Sequence, residues 1–276
     1  MKTETQHRQD ILEVGRRLWQ RGYVAANDGN ISIRVAENEI LTTPTEVSKG
    51  FMSADELVKV DLDGHVLDGS RKPSSELPLH LVVYRERVDV CAVVHAHPPV
   101  ATGFAAARVS LDDPLVTEVV LALGGIPLTE YATPGTEGVP DRVRPYLQDY
   151  DVFLLANHGV LAVGPDVYAA YFRLESGEHF ARINFVARQL GGGRVLPPDQ
   201  VAELMAIRSR SELVRRRHES CLACGACDAG WPAATTAVGG DVPPARPARP
   251  EPTDGDEAEL RRTIERIARR VLASLS

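Results

Sequence analysis

The segment "VVHAHPP", residues 93–99, sets His95 and His97 two apart at the end of an apolar run. Residues i and i+2 of a strand share a face, so two imidazoles at this spacing can aim at one point. The preceding "VCAVV" reads as a covered strand, and the two prolines stop it. Two convergent histidines are half of a metal site; they can also be a hydrogen-bonded structural pair. A second apolar run, "VFLLANHG", reads as another strand that ends in a histidine, His158. Three histidines from two strand ends can hold a zinc ion and leave one coordination position open. A nearby carboxylate could complete the shell or act as base. The best candidate is Glu76 in "KPSSELPLH", where Ser74 and Ser75 are expected to open a helix with Glu76 in its first turn.

These side chains need a scaffold. The chain has 276 residues, 43% of them hydrophobic and 25% charged, the composition of an ordinary globular protein with room for one sizeable α/β domain. A formal charge of −7 disfavours a general nucleic-acid role, and no apolar stretch is long enough to span a membrane. The start, "MKTETQHRQDILEVGRRLW", is polar and then amphipathic; it does not read as a secretory signal, and a cytoplasmic location is expected. "QDILEVGRRLWQRGY" carries a helical stripe through Ile11, Leu12, Val14, Leu18 and Trp19. "GNISIRV" and "EILTTP" read as strands, and "ELVKVDLDGHVL" as a hairpin turning at Asp63-Gly64. Beyond the Glu76 helix, which tolerates Pro78 in its first turn, the pattern predicts a strand ending at His97 and a helix over "PPVATGFAAARV". Strands at "IPLTEY" and "DVFLLANHG" follow, then a long helix from about Asp166 to Leu190 closed by three glycines, and a last helix from the prolines at 197–198.

The ordered combination "DGNIS", "TPT", "PSSE", "HAHP", "YATPGT" and "NHG" resembles the class II aldolase and adducin-head superfamily, and within it the fuculose-phosphate aldolases, over about residues 8–210. The resemblance implies a three-layer α/β/α fold with a central, mostly antiparallel sheet. It implies a cyclic homotetramer and one Zn2+ per subunit held by His95, His97 and His158, with Glu76 as ligand and acid–base group. The remaining histidines, His7, His65, His80, His179 and His218, are expected at the surface or in packing roles. The implied reaction is retro-aldol cleavage of a sugar phosphate. It leaves a carbanion beside a carbonyl, and a cation held by neutral imidazoles stays Lewis-acidic enough to absorb that charge. An epimerase, decarboxylase or dehydratase of the same superfamily is the alternative, and a non-catalytic adducin-like module a further one.

A phosphate needs an anion cradle, which a helix N-terminus can supply at Ser74 and Ser75. By resemblance, Asn30 and Thr45 face the same phosphate, with Asn27 nearby. Read alone, the serines are a common cap and "NDGN" a common turn. Two departures stand out. Glu46 replaces the glycine that relatives carry after "TPT", and it would repel a dianion unless turned away or paired, with Lys49 as the candidate partner. The tyrosine that relatives carry before the glycine pair is missing from "TEVVLALGG", and no tyrosine follows Tyr171, so the tyrosine that exchanges a proton with the aldehyde oxygen in relatives is unassigned here. Tyr131 is expected to be structural.

Composition changes near residue 218, which divides the chain into an enzyme domain over 1–217, a linker over 218–255 and a terminal segment over 256–276. "HESCLACGAC" spaces His218, Cys221, Cys224 and Cys227 by threes, either as a small metal or iron–sulfur clip or as a redox-exposed linker. The Pro/Gly-rich stretch that follows has no core of its own and is expected to be disordered. Residues 256–276 read as an amphipathic helix with Leu260, Ile264, Ile267 and Val271 on one face. Linker plus helix resembles an encapsulation peptide of bacterial microcompartments, which implies shell proteins as partners; a helix docking on its own tetramer or pairing as a coiled coil is the alternative.

Overall fold

The computed structural model describes residues 2–133 and 138–210. The cysteine cluster, the linker and the terminal segment lie outside the described residues, as does the end of "YATPGT". Seven strands form one sheet in the order β4-β3-β2-β1-β5-β7-β6. They are β1 (Asn30–Ala36), β2 (Glu39–Thr42), β3 (Val58–Val60), β4 (Val66–Asp68), β5 (Ala92–Ala96), β6 (Val152–Leu155) and β7 (Gly159–Gly164). Every paired strand is antiparallel to its neighbour.

Strand alternation sends side chains into two separate cores. On one face, α1 (Glu4–Gln20), α3 (Pro99–Ala106) and α6 (Val167–Gln189) cover Ile31, Ile33, Ala92, Val94 and Ala162. On the other, α2 (Leu77–Glu86) and α5 (Gly138–Val143) cover Ile40, Val58, Val93, Phe153 and Leu161. The expected three-layer α/β/α arrangement is therefore present. Two further helices, α4 (Thr117–Ala122) and α7 (Pro198–Arg210), lie against each other.

Local chemistry explains the element ends. Thr3 and Gln6 form a reciprocal capping box at the start of α1, and Asp166 caps α6 by accepting from the Ala169 amide. Gly64 turns the β3–β4 hairpin with φ +87°. Three sequence expectations are corrected. "IPLTEY" makes only two isolated bridges, Ile126 to Leu111 and Leu128 to Leu154, with Pro127 between them, which has no N–H to offer a ladder. "GVLAVG", for which no strand is predicted, is β7, wholly buried between β5 and β6. The strand at 152 ends at Leu155, not His158; residues 156–158 are the hairpin turn into β7, with Asn157 left-handed at φ 56°.

Helix α1 approaches the loop after β2 so closely that a Cβ at Gly15 would stand 2.4 Å from the Lys49 carbonyl oxygen. Alanine gains about 1 kcal/mol over glycine in a helix interior, but a clash with backbone cannot be relieved by a rotamer change. Gly15→Ala is expected to lower stability by about 1–3 kcal/mol, read as a fall in the urea midpoint at unchanged slope. An equal or raised midpoint would show that this contact is slack.

Candidate metal centre

His95 lies on β5 directly opposite Asn30 on β1 and Leu161 on β7. It shares a face with Val93, the face covered by α2, and is fully buried. His97 follows two residues on, past the end of the strand, where its amide donates to the Tyr23 carbonyl. His158 comes from the β6–β7 turn. That turn is pinned to the end of α3: the Asn157 amide donates to the Ala105 carbonyl, and its side chain bonds Ala106 and Arg108. Gly159 makes the approach possible, since a Cβ there would sit 2.5 Å from His97 Cδ2 and 2.7 Å from the Ala96 carbonyl.

The structure brings the three histidines together, with one ligand atom from each inside a 4.8 Å span. Glu76 joins them from the N-cap of α2, one position before the helix rather than in its first turn. It makes no capping bond. Instead Oε1 is 3.0 Å from His158 Nε2, Oε2 is 3.3 Å from His95 Nε2, and Oε2 accepts from Asn30 Nδ2 at 2.7 Å.

Hydrogen bonding at the far side of each ring tests whether a cation fits. His95 Nδ1 donates to the Val160 carbonyl at 2.9 Å, which assigns the proton to Nδ1 and a lone pair to Nε2. His97 Nδ1 faces the Asp28 carboxylate at 3.3 Å, a contact that favours the same tautomer at His97. Those two Nε2 atoms are 3.1 Å apart. Tetrahedral Zn–N bonds of about 2.0–2.1 Å would set such nitrogens roughly 3.3 Å apart. Acceptors facing acceptors at this separation fit a divalent cation between them. Outer-shell partners that fix the tautomer, here Val160 and Asp28, are the usual support of a histidine metal site.

Electrostatics follow the same geometry. Burial pushes His95 down to about 3, so the ring stays neutral and able to ligate. Burial opposes ionisation of Glu76, yet the His158 ring and the Asn30 amide beside it outweigh burial and hold the carboxyl below the usual carboxylate range. His80, on α2 one turn after Glu76, is fully buried, bonds Ser32 Oγ through Nδ1 at 2.7 Å and is pushed down to about 4 by burial. It is a core histidine behind the site, while His65 and His179 are exposed. A second group with metal-ligand spacing among the described residues, Asp61, Asp63 and His65, is the β3–β4 turn, where Asp61 accepts from the amides of Asp63 and His65.

The residues expected around a phosphate are brought together in part. The "TPT" loop pairs with the segment before α2: the Thr45 amide donates to the Lys72 carbonyl and the Ser74 amide to the Thr43 carbonyl. Thr45, Ser74 and the exposed Ser75 therefore lie on adjoining loops. Ser74 Oγ accepts from the Glu76 amide at 3.3 Å. Asn27 is exposed, and its carbonyl accepts from Lys49 Nζ. Asn30 is turned to Glu76 and only 2% exposed, an engagement set by cross-strand register rather than by local sequence. The expected Glu46–Lys49 pair does not form: Glu46 is exposed with φ 60°, and Lys49 folds inward. The left-handed backbone at Glu46 is the conformation glycine adopts freely. Tyr131 is half exposed, with the Arg108 guanidinium 5.8 Å from its ring centre.

Residues 9–185 match the sequence profile of the Class II Aldolase and Adducin N-terminal domain. The chain is 32% identical over 211 residues to the 3-oxo-tetronate 4-phosphate decarboxylase of Pectobacterium atrosepticum, an alignment taking in 74% of this chain and 94% of that one. It is 34% identical over 182 residues to the L-fuculose phosphate aldolase of Methanococcus maripaludis, covering 66% of this chain and 97% of the relative. A solved L-fuculose 1-phosphate aldolase superposes with a TM-score of 0.69 at 29% identity, over 74% of this chain and 96% of its own. No described helix is long and apolar enough to cross a membrane.

The buried histidines set a pH dependence for the metal-free protein. Their folded values, about 3 for His95 and about 4 for His80, lie below the ordinary 6.5, so the unfolded chain binds more protons between those limits. Stability should therefore fall as pH drops from about 6.5, by about 1.4 kcal/mol per pH unit for each proton taken up. His95→Gln should remove about one proton from that slope in urea titrations. An unchanged slope would mean that His95 is protonated or solvated in the fold.

Proposed function

Because the chain belongs to the class II aldolase and adducin family, we propose that it is a zinc-dependent aldolase splitting a ketose 1-phosphate. The substrate is L-fuculose 1-phosphate or a close analogue, and the products are dihydroxyacetone phosphate and lactaldehyde. His95, His97 and His158 would hold the ion with Glu76 beside it, and the ion would supply Lewis acidity where negative charge develops next to a carbonyl. The observation that carries the reading is the placement of Glu76. Both its oxygens face donors or ligand nitrogens, with Asn30 at 2.7 Å and His158 at 3.0 Å, the setting of an ionised acid.

Retro-aldol cleavage begins with removal of a hydroxyl proton and ends with protonation of carbon. A single ionised carboxylate beside the breaking bond can take the first proton and return it in the second step. Thr45, Ser74 and Ser75 offer hydroxyls on the adjoining loops for the phosphate, and Asn27 and Asn30 border the same region. Asn30 orients Glu76 through its amide. The reading includes a homotetramer in the cytoplasm and shell proteins as partners of residues 256–276, both inferred from resemblance.

A second reading, decarboxylation of a 3-oxo-tetronate 4-phosphate, is favoured by the 32% identity to that decarboxylase. It also passes through a carbanion beside a carbonyl, but it needs no base at the outset. An ionised Glu76 would moreover repel the substrate's own carboxylate.

The purified chain is to be assayed on ketose 1-phosphates and on 3-oxo-tetronate 4-phosphate, with and without chelator. Triose phosphate and lactaldehyde should form, chelation should abolish them and added zinc restore them. Glu76→Gln should lower turnover by about 10²-fold or more. Carbon dioxide release without aldehyde would replace the first reading by the second.

A further inference from the structure

Lys49 sits in the loop between β2 and β3 and is 2% exposed. Its ammonium donates to the Asn27 carbonyl at 2.9 Å and the Val47 carbonyl at 2.5 Å. Asn27 belongs to the loop before β1, and Val47 to the loop that carries Thr45. The backbone at Lys49 is seated against Gly15 of α1, and the next residue, Gly50, lies so close to Trp19 that a Cβ would meet the ring at 2.5 Å. The scaffold thus fixes where this charge stands.

No carboxylate among the described residues pairs with it. The acidic groups whose charge reaches Lys49 are Asp28 and Glu76. The Asp28 carboxylate faces His97, and Glu76 faces His95, His158 and Asn30. A buried ammonium without a counter-ion is costly, and proteins rarely keep one without a partner for it. Burial pushes Lys49 down to about 8, which leaves it mostly charged near neutral pH. Two carbonyls use two of its three donors. The surplus charge is bonded to the two loops that carry Asn27 and Thr45, while Glu46, exposed in the second of them, has the wrong sign for holding an anion.

We propose that Lys49 is a positioning residue for the anionic end of the substrate. Its ammonium ties the Asn27 loop to the Thr45 loop and places beneath both a positive charge that a phosphate dianion complements. The inference rests on the phosphorylated substrate of the preceding section and adds the residue that makes the site selective for its charge. It also accounts for how the site tolerates Glu46: the counter-charge comes from below the loops rather than from their surface.

The test separates the hydrogen bonds of Lys49 from its charge. Lys49→Gln keeps donors near the carbonyls and loses the charge; Lys49→Met loses both; Lys49→Arg keeps the charge. Each full-length variant is loaded with zinc, and its metal content, affinity for inorganic phosphate by calorimetry, and kcat and KM on the substrate found above are measured. Lys49→Gln and Lys49→Met should keep the metal, bind phosphate at least tenfold more weakly and raise KM far more than they lower kcat. Lys49→Arg should recover most of the phosphate affinity. Parent-like phosphate binding by Lys49→Gln, or a loss confined to kcat, overturns the inference while leaving the phosphosugar reading intact. If the unaltered protein binds no phosphate and turns over only unphosphorylated sugars, both fall. Should neither neutral variant fold, Lys49→Arg decides: affinity within threefold of the parent supports the role of charge, and a tenfold loss contradicts it.

Discussion

Groups that can only accept a hydrogen bond do not share a few ångströms of protein interior unless something positive lies among them. At the rim of this sheet, Nε2 of His95, Nε2 of His97 and an oxygen of Glu76 meet in that way, and each is held there by a bond made elsewhere. Val160 takes the Nδ1 proton of His95, the Asp28 carboxylate lies 3.3 Å from His97 Nδ1, and Asn30 grips the Glu76 carboxylate. Turning His95 would strand its Nδ1 proton in a fully buried site. The rest of the site follows from this frustration.

The scaffold keeps it in place through close approaches more than through attraction. Antiparallel register sets Asn30 beside His95, and the start of α2 delivers Glu76 over both. The β6–β7 turn is clamped to α3 by Asn157, which puts His158 across from Glu76, and only a glycine at 159 lets the turn lie on His97. On the other side of the site, α1 presses on the loop of Lys49 through Gly15. The loops that carry Asn27, Thr45 and Glu76 are thus the free ends of elements whose other faces are buried in two cores, which is how surface segments acquire fixed geometry.

Much of this was legible in the sequence where periodicity carries it. The i, i+2 histidines after a covered strand point to one side because strands alternate, and they do so here. The long helices α1 and α6 announce themselves by stripe, cap and terminal glycines. What was not legible has a common cause: partners distant in the chain. "GVLAVG" looks like any short apolar run, and only the hairpin from β6 makes it a central strand. "IPLTEY" has strand-like residues, but with Pro127 at its centre it makes two isolated bridges and no ladder. Lys49 follows Glu46 by three residues and reads as its partner, yet the loop is not a helix and turns the lysine under Asn27. Asn30 reads as a phosphate contact; that cross-strand register also turns its amide to Glu76 could not be read from its loop. His80, one turn beyond Glu76, reads as packing and is indeed in the core, but the buried bond to Ser32 could not be read from α2 alone.

The most direct test is elemental analysis of freshly purified, tag-free protein beside His158→Ala, each after brief dialysis. The account predicts close to one divalent ion per chain in the unaltered protein and a loss of at least tenfold in retention in the variant, with the fold intact by circular dichroism. A chain that purifies without metal and takes up none from a zinc titration, or a variant that holds it as tightly as the parent, would contradict the convergence of these side chains on one cation.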